Sequence, residues 1–365
     1  MKPTSTRLIS LDALRGFTIA AMILVNYPGT WDHVYPSLLH ASWNGLTMTD
    51  FIFPFFLFIV GVSVAIAYTK RLQGGFPKSE MYKKILIRSL KIFIVGVFLN
   101  LIPNFDFSDM RIAGVLQRIA VVFLACAFLF LNSDWKKQAF LAGGILLVYW
   151  LAMTLIPTPD EGVVILEPGR NLAAWIDRIL LPGKMWEGSW DPEGLFSTLP
   201  AIVTGILGML AGHILLSEKN QHLKANYLMA LGLPLVLLGL LWAQVFPINK
   251  HLWTSSFTLV TGGAAFIALG ACYFLVDILG KQKGTSIGII FGANAITVYV
   301  LADVLSLVFY RLEIGGQSLN VHFLNEFTGI GLSLKFASML YALLFVAINF
   351  IPAYLLYRRK IFIKL

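Results

Sequence analysis

HASWNGLTMTDFIFPFFLFIVG, residues 40–61, sets a histidine, a tryptophan and an asparagine against one of the most apolar runs in the chain, with Asp50 at its mouth. No charged residue follows Asp50 until Lys70. As a helix rising 1.5 Å per residue, a run of that length crosses a hydrocarbon layer about 30 Å thick.

The run is one of many. Of 365 residues, 58% are hydrophobic and 13% are charged, about half the charge density of an ordinary soluble domain. The expected class is an all-α integral membrane protein, a polytopic bundle of about ten transmembrane helices, forming a single domain over 1–365. The spans are expected near 8–27, 46–69, 85–102, 112–131, 138–156, 196–216, 226–246, 253–276, 287–309 and 334–356. Most of the 28 Lys and Arg fall in the terminal segments and in 70–91, 132–138, 217–225 and 277–286. Positive loops stay inside, so both termini are expected in the cytoplasm and the loops 28–45 and 157–196 outside it. The same bias, with anionic lipid headgroups, explains the net charge of +9 without a nucleic-acid partner.

Cys126 and Cys272 both lie in apolar runs, so neither a disulfide framework nor a metal site is expected. The first apolar stretch carries Asp12 and Arg15 and reads as a span rather than a cleavable signal peptide. In the long loop, Leu172, Trp175, Ile176 and Ile179 recur at helical spacing and suit a short interfacial helix. Neither an internal repeat nor a clearly broken helix pair, the marks of many transporters, is expected.

Ionisable groups within spans are costly and become functional candidates. Asp12 and Arg15 stand three apart on one helical face, as a pair would, and a structural ion pair is the plain alternative. Asn26 closes the same helix. Thr47, Thr49 and Asp50 are cap candidates for the second helix. Gln117 and Arg118 enter the fourth span, where an arginine needs an anion or a carboxylate. Asp191 and Glu193 reach the edge of the sixth span, Trp253, Ser255 and Ser256 open the eighth, and Asn294 lies inside the ninth. Among six histidines, His40 has the most context, flanked by Trp43 and Asn44 and lying between Asn26 and Asp50. An imidazole there suits proton removal from an attacking amine or hydroxyl.

SLDALRGFTIAAMILVNYPG (10–29) with HASWNGLTMTDFIFPFFLFIVG (40–61) resembles the first two helices of the heparan-α-glucosaminide N-acetyltransferase family, bacterial members included. RIAGVLQRIA, WDPEGLFSTLPAIVTGILGMLAG, NKHLWTSSFTLVTGG and FGANAITVYV extend the likeness in order along most of the chain. The LDALRG start alone is shared with other transmembrane acyltransferases. The resemblance implies a membrane enzyme that acetylates a glucosamine amine on the far side from cytoplasmic acetyl-CoA, and it places the active-site histidine at His40 and its asparagine at Asn26. On that reading Arg15, Asp12, Gln117, Arg118, Asn294 and Ser255 serve the acetyl-CoA, while Trp43, Asn44, Asp50, Asp191, Glu193 and Trp253 serve the amino-sugar acceptor. A multi-pass protein of a gram-negative inner membrane is expected, without the animal enzyme's additional lumenal domain, and a homodimer stays open. NYPG stands where the family usually has NYGG, which leaves the acceptor sugar undecided. An O-acyltransferase and an amino-sugar transporter are the alternatives.

Overall fold

The computed structural model describes residues 8–102 and 105–363. Its α-helices in chain order are α1 (Ile9–Asn26), α2 (Ile52–Gln73), α3 (Lys78–Leu101), α4 (Val115–Asn132), α5 (Trp135–Leu155), α6 (Leu172–Leu180), α7 (Leu195–Leu216), α8 (Gln221–Trp242), α9 (Ser255–Cys272), α10 (Thr285–Ala293), α11 (Ala295–Arg311), α12 (Leu319–Gly329) and α13 (Leu334–Arg358). A π-helical turn, Tyr273–Ile278, prolongs α9, and a minimal hairpin pairs Glu313–Ile314 with Gln317–Ser318.

The chain is an all-α polytopic membrane protein. Among the described residues eight helical segments are long and apolar enough to cross a bilayer, and α10 with α11 makes a ninth if the bent pair counts as one span. The tenth expected span, 85–102, lies in α3, which is long enough to cross but carries Lys83, Lys84, Arg88 and Lys91. Two expectations are corrected. A broken pair is present, because α10 and α11 meet at 83°. Asn294 therefore sits at a break rather than within a helix, with φ −132° and ψ 42°. The short helix expected near 172–179 forms as α6, its N-cap Asn171 accepting the Ala174 N–H at 3.0 Å; Leu172 is buried and Ile179 exposed.

Contacts gather the chain into two compact units. The first holds residues 1–40, 47–52 and 271–365. Here α1 packs on α10, α11 and α13. The α1–α10 approach is so close that a Cβ on Gly16 would lie 1.7 Å from the Gly288 carbonyl oxygen, and one on Gly292 would lie 2.2 Å from the Asp12 carbonyl. Small residues allow such backbone contact in membranes. The start of α1 is capped from afar: the N–H groups of Ile9 and Ser10 donate to the Asp277 carboxylate at 3.1 and 3.2 Å.

The second unit holds residues 41–46 and 53–270. In it α4 packs on α3 and α7, and α5 and α6 also pack on α7. Buried glycines again admit a neighbour: a Cβ on Gly61 of α2 would meet the Gly205 carbonyl of α7 at 1.9 Å.

Candidate functional site

His40 and Asp50 meet in the first unit. Nδ1 of His40 lies 2.7 Å from Oδ1 of Asp50, whose side chain is 1% exposed against 38% for the histidine. The other carboxylate oxygen accepts the Thr47 N–H at 2.9 Å and lies 3.0 Å from the Thr47 hydroxyl, which also donates to the Leu39 carbonyl at 2.7 Å. Asp50 therefore does the capping job that its position suggested and a second one besides. It caps the turn Met48–Phe51 that leads into α2, and it orients the imidazole. Asn26 is the last residue of α1 and is exposed.

The intramembrane pair forms as expected: Arg15 Nη1 lies 3.2 Å from Asp12 Oδ1 and 3.5 Å from the Gly292 carbonyl near the end of α10. Asn294 is engaged by the C-terminal segment, its Nδ2 donating to the Ile361 carbonyl at 3.0 Å and its Oδ1 accepting the Ile363 N–H at 2.8 Å. One carboxylate within a span was not anticipated. Asp303 of α11 accepts the Tyr27 hydroxyl; a single acidic residue in an apolar stretch was its only sequence signal.

In the second unit Arg118 is 2% exposed. Its Nη2 donates to the Gly194 carbonyl at 3.1 Å and to the Ser197 hydroxyl, and its guanidinium lies 5.2 Å from the centre of the Trp253 ring. Among the described residues Nε and Nη1 of Arg118 have no hydrogen-bond partner, nor has Nε2 of Gln117, itself 4% exposed. Unsatisfied donors this deep are expensive, so a ligand oxygen is their natural complement. Trp253 is 1% exposed and donates its Nε1–H to the Thr204 hydroxyl at 3.1 Å, with its backbone at φ 50°.

Asp191 and Glu193 are both gripped by Arg111, which the sequence reading did not single out. Nε and Nη2 of Arg111 donate to Asp191 at 2.8 and 2.6 Å, and Nη2 also donates to Glu193 at 2.6 Å. Burial alone would raise the Asp191 carboxyl, but the hydrogen bonds and charge of Arg111 outweigh it and hold the group below the usual range. Burial opposes the charge on Arg111, yet its carboxylate partners raise its pKa. Asp177 of α6 behaves oppositely: burial pushes it up to about 6, although its Oδ1 accepts the N–H groups of Leu195 and Phe196 at the start of α7.

Trp43 stacks on His251 with ring centres 5.4 Å apart, and Trp190 stands edge-on to both at 5.1 and 5.2 Å. Asn44 accepts the Asn249 Nδ2–H at 3.1 Å. Asn249 and His251 add to the sequence-derived set; both sit in the connection before α9, at the start of the motif NKHLWTSSFTLVTGG. Ser255 is fully buried, and its hydroxyl donates to the Leu146 carbonyl of α5 at 2.8 Å, a helix–helix bond.

Residues 7–241 match the family model described as "Heparan-alpha-glucosaminide N-acetyltransferase, catalytic". The chain is 30% identical to the heparan-alpha-glucosaminide N-acetyltransferases of Mus musculus and Homo sapiens, over 100% and 98% of its own length. It spans 61% and 60% of the length of those relatives. With more than half of its residues inside the matched region, the chain belongs to the heparan-alpha-glucosaminide N-acetyltransferase catalytic family.

Proposed function

We propose that this protein is a transmembrane N-acetyltransferase that carries an acetyl group from cytoplasmic acetyl-CoA to the amine of a glucosamine-type sugar on the opposite side of the membrane. The observation that supports it most directly is the 2.7 Å approach of His40 Nδ1 to Asp50 Oδ1, in a chain of this family. An ionised carboxylate can only accept, so the ring proton resides on Nδ1 and Nε2 is the nitrogen with the basic lone pair. A sugar ammonium must shed a proton before it is a nucleophile, and Nε2 is the base that takes it. Bound acetyl-CoA supplies the thioester carbonyl that the amine attacks; the C–S bond then breaks, and CoA leaves as the thiol with the proton held on Nε2.

The other roles follow the same logic. Asn26, taken as the site asparagine from the resemblance of its motif, donates to the oxyanion that develops, an interaction typically worth a few kcal/mol. The N–H groups of Arg118 and Gln117 that lack a partner among the described residues fit oxygen acceptors of the donor. Trp43 presents an aromatic face to the acceptor sugar, beside Asn44. Asp191 and Glu193 shape that region through Arg111. The basic loops set the cytoplasmic side, and a bacterial inner membrane is the assigned location.

Labelled acetyl-CoA and glucosamine incubated with the reconstituted protein test the reading. Label should appear on the sugar, and a folded His40→Ala protein should lose the activity. A His40→Ala protein that acetylates at the normal rate overturns the assignment. Rapid quenching without acceptor separates direct transfer from an acetyl-histidine route.

The α10–α11 break favours a second reading, because broken helices in transporters offer half-helix ends to a solute. Movement of amino sugar into vesicles without acetyl-CoA is its test.

A further inference from the structure

The residues that follow Asn26 are fastened one after another to the C-terminal helices of the same unit. The Tyr27 hydroxyl donates to Asp303, and the Tyr310 hydroxyl, also from α11, donates to the Pro28 carbonyl. Asn320 of α12 donates from Nδ2 to the Gly29 carbonyl at 3.0 Å, while the Gly29 N–H donates to the Ser338 carbonyl of α13 at 3.2 Å. Thr30 closes the set: its N–H donates to the Ser338 hydroxyl and its carbonyl accepts from the same hydroxyl, each at 3.1 Å. Gly29 is wedged so tightly that a Cβ there would meet the Ser338 Cα at 3.0 Å and the Tyr341 Cβ at 3.1 Å.

An ordinary interhelical loop runs over the surface and needs no such fastening. A carboxylate inside an apolar span is costly and points to function, yet the hydrogen-bond partners of Asp303 are the hydroxyls of Tyr27 and Tyr299, not the histidine. Tyr27 is the immediate neighbour of Asn26 and opens the loop that ends at His40. Asp303, Tyr310, Asn320 and Ser338 all lie beyond residue 241, where the family match stops.

We infer that Asp303, acting through Tyr27 together with Tyr310 and Ser338, is a positioning residue that fixes Asn26 and the entry to the His40 loop for acetyl transfer. The inference rests on the acetyltransferase reading. Its energetic content is orientation: displacement of a catalytic group by about 1 Å costs on the order of a hundred-fold in rate.

Tyr27→Phe, Asp303→Ala and Asp303→Asn, with His40→Ala as control, test it in reconstituted protein. Tyr27→Phe and Asp303→Ala should each lower kcat roughly ten- to a hundred-fold while the acetyl-CoA KM stays within about two-fold. Their combination should be no worse than either alone, and Asp303→Asn, which keeps an acceptor for the tyrosine, should restore most of the rate. A kcat within about two-fold of the parent in folded Asp303→Ala overturns the inference, as does an Asn variant no better than Ala. Hydrogen exchange gives a readout that needs no acceptor. Amides 27–33 should exchange faster in Asp303→Ala, or in the milder Tyr310→Phe if the former does not fold, with α7 unchanged. Unaltered exchange at 27–33 refutes the clamp. Absence of acetyl transfer in the parent protein would sink the acetyltransferase reading, and retained activity in His40→Ala would remove His40 as the base, while the exchange data still judge the clamp on its own.

Discussion

Asp50 holds His40 through one carboxylate oxygen and the backbone of Thr47 through the other, so a single buried side chain ties the orientation of an imidazole to the start of a membrane helix. Asp50→Asn offers the ring an N–H in place of an oxygen and favours the tautomer protonated on Nε2, which cannot act as a base. We expect kcat to fall by roughly a hundred-fold or more, with protein yield little changed because an amide oxygen can still cap Thr47. Steady-state kinetics at saturating donor check this; a rate within a few-fold of the parent would remove Asp50 from the mechanism.

Arg118 lies over Trp253 with two nitrogens unpartnered among the described residues. Arg118→Lys keeps the charge but loses the planar fork, and should raise the acetyl-CoA KM by about ten-fold or more without a matching change in acceptor KM. Equilibrium binding of a non-hydrolysable donor analogue gives the same information without turnover. Equal affinity in parent and variant would show that these nitrogens face only protein.

Stability should depend on pH in two opposed ways. Asp177 has a folded pKa of about 6 against a reference of 3.8, so the folded state holds its proton more tightly; this contribution is full below the reference value and is lost as pH rises toward 6. Asp191 is depressed, so its contribution is present above the reference value and is lost as pH falls through the folded pKa. Thermal unfolding in detergent should show Asp177→Asn flattening the profile between about pH 4 and 6, and Arg111→Gln raising the pH at which acid unfolding begins. The reverse pattern would contradict both environments.

Gly16→Ala should be poorly tolerated, because the new methyl would sit 1.7 Å from the Gly288 carbonyl and both neighbours are backbone. A loss of about 1–3 kcal/mol or more is expected, read as a lower thermal midpoint and reduced yield. Gly143→Ala, where a Cβ meets nothing within 4 Å, is the matched control.

How much of this was legible in the sequence follows from the range of the interactions. Apolar runs bounded by charge report on themselves, so α1, α2, α4, α5, α7 and α8 could be located from their own residues, and Asp12–Arg15 could be paired because three residues on a helix are neighbours. The break at Asn294 was missed because an apolar run looks the same whether the backbone continues or turns. Arg111 with Asp191 spans 80 residues, and Tyr27 with Asp303 spans 276. Neither partner carries a mark of the other, and only the packing of helices distant in sequence brings them together. The His40–Asp50 contact was half visible: both residues were chosen and Asp50 reads as a cap, but that its other carboxylate oxygen holds the imidazole shows only in the fold.

The first unit joins residues 1–40 and 47–52 to residues 271–365, far apart in sequence. During synthesis α1 leaves the ribosome well before the helices that cradle its glycine face and fasten the segment after Asn26, with most of the second unit made in between. The opening helix must wait in the bilayer, unpaired with them, through the insertion of most of the polypeptide. A premature stop before Ala295 would release a product whose histidine is present and whose frame was never made.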